Sequence, residues 1–600
     1  MTLAHALPLL AALTAAPLVA QQVPEGTPLP RHMTPAEAQL WSSWSVPRGV
    51  GTNPPEGLIW CPPEYAPMDG IIVAWEGANS WKDILAEMGG HVTTTGDADY
   101  YVSVDTSGEI AAADAALLSF GANLARVKYI VTGTDSIWMR DYGPRYVYQG
   151  DVRVIVDHHY NRPRPNDDSF PTAFSFHKEH LRYHNDVIHG GGNFHLDANG
   201  VGYATRLIVN ENPGRTEQEI FDIYRDFQAL ETLFLDPFPT NIDATQHLDM
   251  WMQVIADDAV IISDWPTQTG SIQDNICDQT AADMAMRGFT VHRVPAVSSG
   301  THYTYTNVVM CNDLVLIPSY TNSLASGFNA TALATWQAAL PNKTIVQVPA
   351  QNIVTAAGVL HCIVMHLPEA RGNGSPTAYL LQPLDGAILS RVAVQEAAWI
   401  SDDDEDVTVA DLAWSADGGQ SWASIGSALS PTGVQNWFVP GGAATNAGQV
   451  RVTVQDGAGN SGEYVAQVAV AGPGEACWTR FGAGKAGTNG VPDLGLSNAP
   501  VLGGPVAVEI TNGFPNRTAK LVRGLSRAQR PLYGTIAWTE PGLVIDVPLD
   551  ANGDGALAAT VPAAPALNGL ELYWQAWIPG DPGAAGNVSA TNGVRCRIGN

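Results

Sequence analysis

The chain reads as an α/β domain followed by β-sheet domains. Between residues 56 and 372, short apolar runs alternate with helical patches, the texture of an α/β fold. Beyond 372 the helical patches stop, and strand-like runs follow one another between Gly, Asp and Asn turns. The length, 600 residues, exceeds what one core supports, so about two to four domains are expected.

Taken in order, residues 1–20 read as a secretory signal, with an apolar run from Leu9 to Ala16 and a cleavage site after Val19-Ala20. Residues 21–55, rich in Pro, Gly and Ser, read as a leader or linker. Gly70–Trp75 is continuously apolar, as in a strand buried on both faces, and Arg126–Val131 is a second strand. Ser80–Met88 and the stretch from Thr216 through Phe221 onward have helical spacing. Residues 373–472 hold strand-like runs at Val392–Gln395, Leu412–Ser415, Val450–Val454 and Tyr464–Val470, a pattern that fits an immunoglobulin-like sandwich. Residues 473–600 read as a further β domain. The acidic run Asp402–Asp406 reads as a solvated loop, with calcium binding as the alternative. Asp550–Gly555 begins like a calcium loop, but Val561 stands where the closing Glu belongs, which favours a β-turn.

Fifty-nine acidic residues against 30 basic ones give a net charge of −29, which repels phosphate backbones and excludes nucleic acid as an expected partner. The same field draws in cations. After the signal no run is apolar enough to span a membrane, so a secreted or cell-surface location is expected. Six cysteines are too few for a disulfide scaffold. Cys477 and Cys596 bracket the last segment and could be bridged in an exported protein; Cys61, Cys277 and Cys311 read as small buried hydrophobes.

Four segments carry chemistry: Trp138–Pro144 (WMRDYGP), His189–Phe194 (HGGGNF), Gln246–Met250 (QHLDM) and Gly358–Cys362 (GVLHC). Together they offer one thiol, one imidazole and two carboxylates. A guanidinium ion is planar and rich in donors, so carboxylates can grip its edges while a thiolate adds to its carbon and an acid protonates departing ammonia. Asp141, Asp249, Cys362 and His247 match those needs. A papain-like protease is excluded by order, because His247 precedes Cys362.

In this order and spacing the four motifs resemble the guanidine-modifying (pentein) superfamily, closest to the Porphyromonas-type peptidylarginine deiminases and the related agmatine deiminases, over residues 57–370. The resemblance implies a five-bladed α/β propeller with the site on its axis, and no metal or organic cofactor. It implies Cys362 as nucleophile through a thiouronium intermediate, His247 as acid and base, and Asp141 and Asp249 as guanidinium anchors. It also implies Trp138 as a channel wall, Asn307 in the site lining, and Gly190 to Asn193 shaping the loop. Arg162 and Arg164, in Asn161–Asp168, are implied to meet the carboxylate of a C-terminal arginine; on the residues alone this is a Pro-stiffened surface loop. The chain departs from the pattern at Ala244–Gln246, which lacks the aromatic residue expected before His247.

The expected function is that of an exported deiminase converting peptide C-terminal or free arginine to citrulline and ammonia. Agmatine deimination to N-carbamoylputrescine is the alternative, and an inactive surface or adhesion protein the third. Thiolate at Cys362 with protonated His247 predicts a bell-shaped pH profile.

Overall fold

The computed structural model describes residues 28–41, 51–403, 407–442 and 444–600. The signal-like segment and residues Asp404–Asp406 of the acidic run lie outside these.

From residue 59 to 368 the chain repeats one plan five times: an antiparallel pair of strands, a helical crossover, and a third strand parallel to the second. Arg145–Gln149 and Val152–Tyr160 pair antiparallel, then the helix Pro165–Lys178 leads to the parallel strand Arg182–His189. His195–Leu196 and Val201–Thr205 are followed by the helices Leu207–Glu211 and Glu217–Gln228 and by Glu231–Leu235. Met252–Ala256 and Ala259–Asp264 lead through Ile272–Met286 to Thr290–Pro295. Val309–Cys311 and Leu314–Ser319 lead through Asn329–Ala339 to Thr344–Pro349. The last unit joins the two ends of the region. Its first strand, Met365–Pro368, pairs antiparallel with Met68–Ala74, which leads through Asn79–Val92 to Asp99–Val104, and a further helix, Ile110–Ser119, to Val127–Val131.

Local sequence explains these elements. Met68–Ala74 is buried at all but one position, as its apolar run requires. Glu217–Gln228 starts on a capping box, with Thr216 and Glu219 satisfying each other's backbone N–H groups.

Beyond residue 376 the structure is β throughout. Thr377–Gln382, Gln395–Asp402 and Gly433–Trp437 form one sheet, which lies with a five-stranded sheet containing Val407–Ser415, Thr445–Asp456 and Ser461–Ala471 around a core of Trp399, Trp414, Trp437 and Val452. Two expectations change here. Val392–Val394 are not part of a strand: residues 391–393 turn, Val392 and Val394 are exposed, and the strand begins only at Gln395. Asp402 is not a solvated loop residue. It is buried and takes hydrogen bonds from Arg153 Nε (2.7 Å) and Nη2 (3.0 Å), with His180 Nε2 3.0 Å away.

Residues 477–597 form further sheets around a separate core with Leu521, Trp574 and Ile578. Cys477 and Cys596 lie on the paired strands Cys477–Phe481 and Gly593–Arg597, yet both are free, buried thiols. Asp550 closes a turn, its carboxylate accepting the N–H groups of Asn552 and Asp554, which is the β-turn reading. No helix of the described residues is long and apolar enough to cross a membrane.

Candidate active site

The five-fold plan explains how residues so far apart in sequence meet. Each site segment is a short turn placed immediately before the first strand of a unit: Met139–Tyr142 before Arg145–Gln149, Gly191–Asn193 before His195–Leu196, and Leu248–Met250 before Met252–Ala256. Asn307 precedes Val309–Cys311, and His361–Ile363 precedes Met365–Pro368. Asp141, His247, Asp249, Asn307 and Cys362 are all fully buried.

At their centre is a guanidinium that the chain itself supplies, that of Arg31. Asp141 grips one edge, accepting from Nε at 2.9 Å and Nη2 at 2.7 Å. Asp249 grips a second edge, accepting from Nη1 at 3.1 Å and Nη2 at 3.0 Å. Two bidentate carboxylates fix the ion's plane. Cys362 Sγ lies 2.6 Å from Nη1, and His247 Nδ1 lies 2.7 Å from Nη2. Asn307 Nδ2 donates to Sγ at 3.0 Å, while its Oδ1 accepts the backbone N–H of His361 at 3.0 Å and so anchors the cysteine turn.

The glycines are a steric requirement. A Cβ on Gly192 would stand 1.8 Å from Arg31 Nη2, and one on Gly190 would stand 2.7 Å from the His247 ring. Asn193 ties the His247 turn in place, its Oδ1 accepting from the N–H groups of Thr205 and Leu248. At the departure from the family pattern, Gln246 takes a left-handed backbone (φ 59°), and its side chain donates to Phe238 O.

The segment around Arg31 is held on both sides. Its N–H donates to Ala356 O, and the Trp138 indole donates to Leu29 O at 2.8 Å, which makes Trp138 a wall against the segment. Arg162 Nε donates to the main-chain carbonyl of Arg31 at 3.0 Å. Arg164 pairs instead with Glu37, Nε to Oε1 at 2.7 Å, and donates to Pro30 O at 2.7 Å. Glu37 is aimed by a capping box: Thr34 N–H donates to its Oε2, and its own N–H donates to Thr34 Oγ1, with Pro35 opening the helix Pro35–Trp41. Residues 28–41 are therefore not the linker expected. They fill the site, because a buried guanidinium with two carboxylate partners and a capped helix outweigh the flexibility of a Pro-rich segment.

Burial alone would raise both carboxyls. At Asp141, Arg31 and His247 outweigh it and hold the group well below the usual carboxylate range; at Asp249, Arg31 and His361 do the same. Burial, then the charge of Arg31, pushes the His247 imidazole down. Burial pushes the Cys362 thiol well up, and the cation of Arg31 opposes this without overcoming it. With Arg31 seated, thiol and imidazole are both neutral at pH 7.

Sequence reasoning brought Asp141, His247, Asp249, Asn307, Cys362, Trp138, Arg162 and Arg164 to one place, and missed several partners. Behind Asp249, His361 Nδ1 lies 2.9 Å from Oδ2 while its Nε2 lies 2.9 Å from Glu64, which in turn pairs with Arg140 at 2.7 Å. This relay orients Asp249. Glu64, His195 and His361 stand close enough to hold a metal ion, but a cation there would have to displace Arg140 from Glu64. The box Thr34-Pro35-Ala36-Glu37 was the sequence signal that could have drawn attention to Arg31.

The family model described as Porphyromonas-type peptidyl-arginine deiminase matches residues 60–368. Agmatine deiminase of Pseudomonas aeruginosa strain LESB58 is 24% identical over 292 residues, covering 41% of this chain and 78% of that protein. Agmatine deiminase of Pseudomonas putida strain F1 is 21% identical over 377 residues, covering 54% and 97%. The solved agmatine deiminase of Enterococcus faecalis superposes with a TM-score of 0.47 at 19% identity, covering 54% of this chain and 99% of that one. With about half of its length matched, and the matched half holding the guanidinium site, the chain belongs to the Porphyromonas-type peptidyl-arginine deiminase family.

Proposed function

We propose that the protein hydrolyses the guanidinium of peptide-linked arginine, including C-terminal arginine, to citrulline and ammonia. What carries this is a peptide-linked arginine seated among the reacting groups with its main-chain carbonyl on Arg162. In a C-terminal arginine, that carbonyl oxygen belongs to the carboxylate, where a guanidinium partner gains a full charge. The Cys362 thiol gives its proton to His247 as Sγ adds to the guanidinium carbon, and His247 passes that proton to the nitrogen it faces, which leaves as ammonia. A water then attacks the thiouronium carbon, giving its proton to His247, and the C–S bond breaks to return the thiol. Asp141 and Asp249 hold the charge throughout. These steps call on no metal or organic cofactor.

The five repeated units support the reading of a five-bladed arrangement around the site, and the two sheets beyond residue 376 support an immunoglobulin-like domain. Export rests on the apolar start of the sequence, and with it a secreted or cell-surface location.

The second reading is agmatine deimination, favoured by the names of the similar proteins. Agmatine has no carbonyl for Arg162 to meet, and its ammonium end would face two arginines. Ureido product should therefore form faster from an Arg-terminated dipeptide than from agmatine. Arg162→Ala should raise the dipeptide KM about thirtyfold, or ~2 kcal/mol, and spare agmatine. Faster turnover of agmatine would overturn the peptide reading. Ammonia release that survives Cys362→Ala would overturn the mechanism, and no turnover of either compound would leave the inactive surface protein.

The pH profile of kcat, which reports the site with an arginine seated, should be bell-shaped and broad. Burial lowers His247, so the acid limb falls below the ordinary imidazole value of 6.5. Burial raises Cys362, so the alkaline limb lies above the ordinary thiol value of 9.0. A flat profile would exclude the pairing.

A further inference from the structure

We infer that Arg31 is a self-modification site: the protein deiminates it once, within its own chain, and thereby releases the segment that closes its active site. The inference rests on the deiminase reading above and adds a substrate that no similarity assigns.

An inhibitory arginine would be expected to bind with the reacting groups out of reach. Arg31 does the opposite. Both carboxylate clamps are complete, the sulfur touches one terminal nitrogen, and the imidazole acceptor touches the other. Nothing in these contacts separates Arg31 from a substrate. Its flanking peptide is held as well, through Arg162 on its carbonyl, Ala356 on its N–H and Arg164 on Glu37.

The step balances without a co-reactant other than water. The Cys362 thiol gives its proton to His247 as Sγ bonds to Cζ, and His247 passes that proton to Nη2, which leaves as ammonia. Water then adds to the thiouronium carbon; one of its protons returns through His247 to sulfur as the C–S bond breaks, the other makes ammonium, and its oxygen stays on Cζ. That oxygen then stands where Nη2 stood, 2.7 Å from Asp141 Oδ1 and 3.0 Å from Asp249 Oδ2. Two charge-assisted donations become acceptor-against-acceptor contacts, and the cation that balanced two buried carboxylates is gone. The ties left at Leu29, Pro30, Arg31 and Glu37 are hydrogen bonds to Trp138, Arg164, Arg162 and Ala356 and the ion pair of Arg164 with Glu37, so the modified segment leaves and external arginine enters.

The test is mass spectrometry of the peptide containing Arg31, from the full wild-type chain and from Cys362→Ala. NH-to-O exchange at Arg31 is expected in the wild type and not in Cys362→Ala, even after Cys362→Ala is incubated with catalytic wild type. A second readout uses Arg31→Lys, whose tethered ammonium cannot be deiminated. A tethered competitor acts at millimolar effective concentration, so its apparent KM for an arginine peptide should be about tenfold above that of Arg31→Ala. Unmodified Arg31 in a wild-type enzyme that turns over added peptides would overturn self-modification and leave the deiminase reading standing. Exchange in the Cys362→Ala chain on mixing would overturn the intramolecular route. Equal KM for Arg31→Lys and Arg31→Ala would overturn the closing role. If no guanidino compound is turned over and Arg31 is intact, both readings fall.

Discussion

Two buried arginines in this protein are held in the same way and do different things. Arg153 joins the repeated region to the β region, gripped edge-on by Asp402 and paired with Asp69, with Pro368 O accepting a further N–H at 2.9 Å. Arg31 is gripped by Asp141 and Asp249. Burial opposes the charge in both places, and carboxylates outweigh it in both. What differs is the rest of the shell. Around Arg153 it is the carbonyls of Pro368 and Asp403, with His180 on the Asp402 oxygen that Arg153 Nη2 also meets; around Arg31 it is a thiol, an imidazole nitrogen and an asparagine that holds the sulfur. Recognition of a guanidinium is therefore cheap in this fold and is not catalysis. A thiol and an imidazole placed on its nitrogens make the difference.

Asp249→Asn tests the reactive half of this contrast most strongly. It keeps the shape but removes one charge and one bidentate clamp, so kcat/KM should fall about 10³-fold, or ~4 kcal/mol, while the chain still folds. A loss below tenfold would mean that one carboxylate suffices.

Asp402→Asn tests the structural half. It removes the bidentate grip on buried Arg153 and leaves Asp69 as a charged partner, which costs about 3 kcal/mol of stability, seen as a lower Tm, with kcat on an arginine peptide retained. Folding holds Asp402 below its ordinary range, because Arg153 and His180 outweigh burial. Its stabilisation is therefore full at neutral pH and is lost as pH falls through the folded value; the variant should lack that acid-induced loss. If Asp402→Asn instead abolished activity at unchanged Tm, the joint would be part of the site.

The smallest effect is expected at Thr34→Ala, which removes a helix cap worth about 1 kcal/mol. In a His247→Ala background, which keeps Cys362 but does not turn over, the closed segment should shield the thiol. There Thr34→Ala should speed alkylation of Cys362 about fivefold. An unchanged rate would mean that the helix Pro35–Trp41 does not help to hold the segment.

The groups that meet around Arg31 were legible because each lies in a short run whose composition is unusual for a strand or helix, such as Gly190–Gly192 or Asp141 before Tyr142-Gly143-Pro144. Their convergence was not legible from spacing, since it depends on the five equivalent turns and on Met365–Pro368 pairing back to Met68–Ala74. Arg31 escaped because a single arginine in a Pro-rich stretch carries no periodic signal, and its partners are 110 or more positions away. Asp402 was misread for the same reason: a run of acids looks solvated until Arg153, on a distant strand, claims its first member.

The groups around the guanidinium stand on separate turns ahead of separate sheets, with His247 and Asp249 sharing one, so the site is assembled in modules. A substitution in one turn alters one grip on the substrate and leaves the hydrogen-bonded ladders untouched.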